Sequence, residues 1–315
     1  MEVITNLKDC ACIPDSVVTV GTFDGVHLAH QKIIQQVIKC ARTKNAVSTV
    51  VTFDPHPRLV INQKELKPIA LLTTTEEKIE LIQKSGIDRL VIIPFTVEFS
   101  EISPQSFIID ILYKTIGMRV LISGYRHFFG RHRAGNVDYL RQLEKNNGFE
   151  VYVQKPISNH YGLISSTRIR EFIVHGEIEA AGDCLGRMYF LGGNVIPGDG
   201  RGQFLGYPTA NIQIDNPHKC IPKNGIYAVN IEYGDTIYDG VMYIGSRPTF
   251  HLSGISFEIH IFNFNEIIYG KKIRIKFIEK IRDDICFESA ESLKTQIKSD
   301  IEQTKSILLR KKEQQ

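Results

Sequence analysis

The pattern of apolar residues changes once along this chain of 315 residues, and that change constrains the fold more than any single motif. Up to about residue 185, short β-rich runs alternate with amphipathic helical stretches. Residues 16–23 (SVVTVGTF) read as a buried strand, and in the following stretch, 30–44, Ile33, Ile34, Val37, Ile38 and Ala41 share one helical face. Strands are expected again at 47–53, 89–95, 119–124 and 149–154, separated by helices at 75–86, 103–117 and 136–148. Strict strand and helix alternation implies a parallel sheet with helices on both faces, a Rossmann-like domain. After about residue 186 the helices stop. Residues 225–245 read as two strands around Gly234-Asp235, a hairpin signal, and 271–281 (KKIRIKFIEKI) alternates polar and apolar residues. Successive strands without helices predict a small antiparallel β-barrel, closed off by an amphipathic helix over 289–309. The expected domains are 1–185 and 186–315, with the boundary near residues 185–189.

Composition narrows the function classes. Hydrophobic residues make up 43% and charged residues 23%, as in a folded soluble protein, and no apolar run approaches the roughly 18–20 residues that cross a bilayer. No export signal is visible, which predicts a cytoplasmic protein without a membrane role. The six cysteines, at 10, 12, 40, 184, 220 and 286, include no CxxC pair, and the histidines lack zinc-finger spacing. Free thiols are expected, Cys10 and Cys12 included. A net charge of +3 is small for this length, so nucleic acid is not an expected partner; the basic cluster Arg310, Lys311 and Lys312 reads as a solvated helix end. Nothing in the sequence sets an oligomeric state.

Three segments carry chemistry. In residues 200–211 (GRGQFLGYPTAN), Gly200, Gly202 and Gly206 allow backbone N–H groups to approach an anion, and Pro208 fixes a turn from which Thr209 and Asn211 offer hard oxygen ligands to a magnesium phosphate. A glycine-rich hairpin loop fits the glycines equally well. In residues 21–30 (GTFDGVHLAH), glycines close the turn after the first strand, and His27 and His30 stand at a helix start, where the dipole favours nucleotide phosphates. Residues 164–172 (ISSTRIREF) open a helix with hydroxyls and then place Arg168 and Arg170 in its first turns, against the dipole, which calls for a compensating anion.

The second and third of these segments, with TFDPHPR (52–58), resemble the nucleotidylyltransferase module of bacterial bifunctional riboflavin kinase/FAD synthetases. LGYPTANI (205–212), IPKNGIYAV (221–229), YIGSRPTF (243–250), SFEIHIFNF (256–264), YGKKIRIKF (269–277) and LKTQIKSDI (293–301) resemble successive motifs of the riboflavin kinase module, so that nearly the whole chain is covered in the family's order. The resemblance implies a C-terminal barrel that phosphorylates riboflavin to FMN with ATP. There Glu258 is the base, Thr209 and Asn211 hold Mg²⁺, Gly198, Gly200, Gly202, Gly206 and Pro208 serve ATP, and Arg282 and Phe287 face the flavin. Pattern alone also allows Glu258 to be an outward strand residue beside Ser256 and His260. The N-terminal module is implied to join FMN to the AMP part of ATP, making FAD and releasing pyrophosphate. In it His27 and His30 stabilise phosphate charge, Gly21, Phe23, Asp24 and Gly25 serve ATP, and Ser165, Ser166, Thr167 and Arg168 grip the leaving group. Flavin is thus substrate and product, ATP the co-substrate and Mg²⁺ the cofactor. The chain departs from the family pattern at Ala29, where a glycine is usual, at Arg126 and His127, where an aspartate and an aromatic are usual, and at Tyr243, where asparagine is usual. The first two departures leave open an alternative, a riboflavin kinase whose first module has lost adenylylation or serves as a flavin sensor.

Overall fold

Runs of valine and isoleucine without alternation demand a sheet covered on both faces, and the N-terminal part of the chain builds one. The computed structural model describes residues 1–9, 15–61, 69–125, 128–198, 202, 206–246 and 254–313. It divides the chain into two units, Met1–Ser166 and Thr167–Gln315.

The first unit runs β1 (Glu2–Ile4), β2 (Ser16–Val20), α1 (Leu28–Lys44), β3 (Ser48–Asp54), α2 (Pro57–Ile61), α3 (Thr75–Gln83), β4 (Arg89–Pro94), and the short helices α4 (Val97–Ser100) and α5 (Pro104–Ser106). A wide π-type helix, Phe107–Thr115, follows, then β5 (Met118–Gly124), α6 (Val137–Asn147), β6 (Glu150–Gln154) and a small hairpin of β7 (Ser158–Asn159) and β8 (Gly162–Leu163). Six strands pair in the order β1-β4-β3-β2-β5-β6, all parallel. Consecutive residues of each strand feed opposite cores: Val17, Val50, Leu90, Ile92, Val120 and Ile122 pack with Ile34, Val37 and Ala41 of α1. Val18, Val51, Val91, Ile93 and Leu121 pack with Phe107, Leu112 and Leu140 on the other face. Strand β1 was not anticipated, because three residues are too few to show a period. Over 103–117 the chain is helical as expected but widened, with Ile116 N–H bonding to the Ile111 carbonyl five residues back at 2.9 Å. Helix α3 starts with a reciprocal cap: Thr74 Oγ1 accepts from Glu77 N–H at 3.2 Å, and Glu77 Oε2 accepts from Thr74 N–H at 3.0 Å.

In the second unit, α7 (Ser166–His175, its first residue closing the first unit) and α8 (Ile178–Leu185) precede the strands β9 (Phe190–Ile196), β10 (Ala210–Ile214), β11 (Gly225–Tyr233), β12 (Thr236–Ser246), β13 (Ile255–Ile261) and β14 (Lys272–Asp283). These close into an antiparallel barrel, β10-β13-β12-β11-β14-β9, and α9 (Ala290–Glu313) follows. The expected hairpin is present: Tyr233 pairs with Thr236 across Gly234-Asp235, with Gly234 at φ 59°. Tyr227, Val229, Met242, Ile259, Ile275 and Phe277 are fully buried on the inward-facing positions of their strands. On the outside, α9 lays Ile301, Ile307 and Leu308 against Ala228 and Ile278.

Two polar devices seat α9. Asp300, 3% exposed, takes a bidentate bond from Arg282 of β14, with Nε–Oδ1 at 2.9 Å and Nη2–Oδ2 at 2.7 Å. The basic tail is exposed at Arg310 and Lys312, as expected of a solvated helix end, and is also paired residue by residue: Arg310 with Glu279, Lys311 with Glu179 at 2.7 Å, and Lys312 with Asp239 at 2.8 Å. Those pairs are partly exposed and worth little each. The buried one is different, since removing one partner strands a charge. Asp300→Ala is expected to lower the stability of the barrel unit by about 3 kcal/mol, seen as an earlier urea transition followed through a fluorescence probe on α9.

Candidate active sites

In the first unit the strand order turns back between β2 and β5, and in open α/β sheets ligands bind beyond the carboxyl ends of the strands at such a point. The segment leaving β2 there is 21–27. Gly21 N–H still bonds the Val51 carbonyl at 3.1 Å. The backbone then takes left-handed conformations at Phe23 (φ 47°), Gly25 (φ 87°) and Val26 (φ 38°). A β-branched residue there is strained. Burial offsets the cost, since Phe23 and Val26 are 2% and 3% exposed in the core beneath α1. The loop is also tied from above by one carboxylate: Asp24 Oδ1 accepts from Leu72 N–H at 2.9 Å and Thr73 N–H at 3.1 Å, and Gly25 N–H donates to Thr73 Oγ1 at 3.0 Å. Ser166 Oγ donates to the Asp24 carbonyl at 2.8 Å.

The loop ends at His27, the cap of α1. Its Nδ1 accepts the His30 N–H at 3.3 Å, and the two imidazoles stack with centroids 3.6 Å apart at 15°. An accepting Nδ1 carries no proton, so in the neutral ring the proton resides on Nε2, which makes His27 a hydrogen-bond donor through that atom. Phe23 meets His30 edge-on at 5.0 Å and fixes the second ring. Ala29, where the family motif has glycine, is an ordinary residue of α1's first turn, a position at which alanine is the best helix former. Thr167 and Arg168 are exposed on α7 in the second unit, and Arg168 lies 5.3 Å over the Phe172 ring. Gly200, Arg126, His127, Cys10 and Cys12 lie outside the described residues.

Sequence reasoning missed Lys78. It is 4% exposed, and its ammonium donates to Thr52 Oγ1 at 3.3 Å, which in turn donates to the Thr22 carbonyl at 3.2 Å. The signal was a lysine four residues after the Thr74 cap, on the helix face that also carries Ile82.

In the second unit the strand register assembles the site. Asn211 of β10 is paired with Glu258 of β13, Glu258 with Tyr243 of β12, Tyr243 with Ile226 of β11, and Ile226 with Arg282 of β14. Directly opposed residues share a face, so these five side chains form one line across the outside of the barrel. Glycines make room at its Asn211 end. A methyl group at Gly198 would fall 1.8 Å from the Asn211 carboxamide nitrogen, and one at Gly202 would fall 3.0 Å from Thr209 Oγ1 and 2.4 Å from the Tyr207 carbonyl. Gly206 turns the chain at φ 84°, and His260 Nδ1 lies 2.8 Å from the exposed Pro208's carbonyl, holding the turn to β13. At the other end, Arg282 lies 5.8 Å over the Phe287 ring. Among the described residues no trio of His, Cys, Asp or Glu is placed to hold a metal ion.

The family models for FAD synthetase and riboflavin kinase match residues 10–168 and 185–308. The bifunctional riboflavin kinase/FMN adenylyltransferase of Listeria monocytogenes serovar 1/2a is 35% identical over 93% of this chain and 92% of its own. The chain belongs to the bifunctional riboflavin kinase/FMN adenylyltransferase family. Family members of the same name from Bacillus subtilis (strain 168) and Escherichia coli (strain K12) are 34% and 30% identical, over 90% and 95% of this chain and 90% and 96% of theirs. A crystal structure described as a macrolide-efflux protein from Streptococcus pneumoniae superposes with a TM-score of 0.88, at 30% identity, over 96% of this chain and 98% of that one. That description is the other protein's own; among the described residues here, no helix is long and apolar enough to cross a membrane. The first matched segment contains the histidine loop and the second the Asn211–Glu258–Tyr243 line, the two candidate sites.

Burial pushes the Lys78 ammonium below its ordinary value of 10.5, with Asp24 and Asp54 opposing the shift. Between the lowered value and 10.5 the folded unit therefore binds fewer protons at Lys78 than the unfolded chain, and stability rises with pH across that window. Urea unfolding of wild type and Lys78→Met at about pH 7 and about pH 9.5 is expected to show the difference moving in favour of wild type at the higher pH. A pH-independent difference would mean that Lys78 titrates as it does in water.

Proposed function

We propose that the chain carries riboflavin to FAD in two steps at two separate sites. Residues 186–315 transfer the γ-phosphoryl group of ATP to the terminal ribityl hydroxyl of riboflavin, giving FMN and ADP. Residues 1–185 join the FMN phosphate to the α-phosphorus of ATP, giving FAD and releasing pyrophosphate. The observation that carries the reading is the pairing of Asn211 with Glu258, which puts a hard oxygen ligand and a carboxylate side by side on one face of the barrel wall.

In the kinase step Glu258 accepts the proton of the attacking hydroxyl as the new P–O bond forms. Thr209 and Asn211 suit Mg²⁺, because their oxygens are hard donors and Gly198 and Gly202 keep side chains out of the space beside them. When bound, the ion neutralises charge on the phosphoryl oxygens. Phe287, stacked with Arg282, offers the flavin ring an aromatic face. In the adenylylation step His27 and His30 donate to phosphate oxygens as negative charge grows on them, from a helix start whose dipole has the favourable sign. Phe23, Asp24 and Gly25 act by holding that loop in shape, and Ser165 and Ser166 supply hydroxyls next to it. No covalent intermediate is needed, since alignment and charge neutralisation provide the acceleration. Substrates of this kind place the enzyme in the cytoplasm.

The test is chromatography of the flavins made by wild type, Glu258→Gln and His30→Ala, each given ATP and Mg²⁺ with riboflavin or with FMN. Wild type is expected to make FAD from both. Glu258→Gln should lose about 100-fold in FMN formation while still making FAD from supplied FMN, and His30→Ala should show the reverse. No flavin nucleotide from wild type would sink the proposal, and an intact kinase in Glu258→Gln would remove the base. Gly198→Ala offers a second check: its methyl displaces the Asn211 carboxamide, so phosphorylation of riboflavin should fall by at least about 10-fold, roughly the loss of one charge-assisted contact, with adenylylation unchanged.

A further inference from the structure

We infer that Tyr243 is a positioning residue for the alcohol substrate of the kinase, acting with Asp284 as a latch on the acceptor side of Glu258. This rests on the kinase reading given above.

A carboxylate that takes the proton of the hydroxyl being phosphorylated stands between the phosphoryl donor and the acceptor. On one side of Glu258 the barrel presents Asn211, flanked by Thr209 and the space left by Gly198 and Gly202. Phosphate and metal belong there. The acceptor must then come from the opposite side, and the residue paired with Glu258 on that side is Tyr243. Adjacent strands put directly opposed Cα atoms about 4.5–5.5 Å apart, so the tyrosine ring bounds the acceptor's approach.

The ring has a defined place. A methyl group at Gly245 would fall 1.8 Å from the Tyr243 hydroxyl oxygen and 2.1 Å from the ring carbon that bears it, so the ring lies along β12 over the next residue on the same face. Only a residue without a side chain at 245 permits that. Lying there, the phenol reaches the segment after β14 and donates to Asp284 Oδ2 at 3.2 Å. That segment follows Arg282 of β14, which is clamped by Asp300 of α9, and leads to Phe287, over whose ring the Arg282 guanidinium sits. Arg282 and Phe287 are therefore anchored at one end of the segment by α9, and Asp284 is anchored by Tyr243 to the strand next to the base. The phenol–carboxylate bond thus couples the wall beside Glu258 to the segment that offers Phe287 to the flavin.

The experiment measures kcat and KM separately for riboflavin and for ATP in wild type, Tyr243→Phe, Asp284→Asn and the double variant, with thermal unfolding of each. Tyr243→Phe and Asp284→Asn should each raise KM for riboflavin about three- to ten-fold, the range of one hydrogen bond, with KM for ATP and the unfolding temperature little changed. The double variant should be no worse than the poorer single one, as for partners in one bond. The inference is overturned if KM for riboflavin does not move, if KM for ATP moves equally, or if the two effects multiply. It also falls if the change follows unfolding temperature alone. Wild type measured in parallel separates the two claims: no phosphorylation of riboflavin by wild type overturns the kinase reading and the latch together, whereas normal wild-type turnover with an unmoved KM in Tyr243→Phe overturns the latch alone.

Discussion

The register of β10 against β13 is the constraint on which the second half of this protein depends. Asn211 and Glu258 are 47 positions apart in sequence and become neighbours only because Ala210 faces Ile259 and Asn211 faces Glu258. A slip of one residue would turn Glu258 into the barrel and Ile259 out of it. The packed interior resists that slip. Tyr227 meets Phe277 edge-on at 5.3 Å, Met242 is paired with Ile259, and closure leaves no free edge along which a strand could shift. A hydrophobic interior thus sets the placement of polar residues on the outer face.

The parallel-sheet unit solves a related problem differently. Its site residues lie on a single loop at the turning point of the strand order, so register across strands matters less than the shape of that loop. Three left-handed residues, Phe23, Gly25 and Val26, are kept in place by burial below and by the Asp24 carboxylate above. The stacked pair His27 and His30 then inherits its orientation from the start of α1. Asp24 and Lys78 are the buried polar groups supporting this arrangement, and both act on backbone or hydroxyl partners of neighbouring strands and loops.

Much of the fold was legible because buried parallel strands and half-buried barrel strands leave different periods in sequence. Residues 47–53 and 271–281 show the two kinds plainly. What escaped was of two sorts. Short or widened elements leave no period, as with β1 and the helix over 107–115. Partnerships across distant strands or between a strand and a helix leave none either: Tyr243 beside Glu258, Arg282 with Asp300, and the three pairs that seat Arg310, Lys311 and Lys312 all depend on strand order and helix docking that no local window contains. The motif residues Thr209, Asn211, Glu258, His27 and His30 could be named from the chain; why Gly198 has no side chain could be seen only with Asn211 against it.

If Asn211 and Glu258 work as one unit, their effects on turnover cannot be independent. The most direct measurement is a double-mutant cycle on riboflavin phosphorylation with Asn211→Ala, Glu258→Gln and the pair. The account predicts that the double variant is about as impaired as the worse single one, as for groups that serve one transition state. Losses that multiply in full would mean that the two side chains act separately, and the shared face of β10 and β13 would then not be where the reaction takes place.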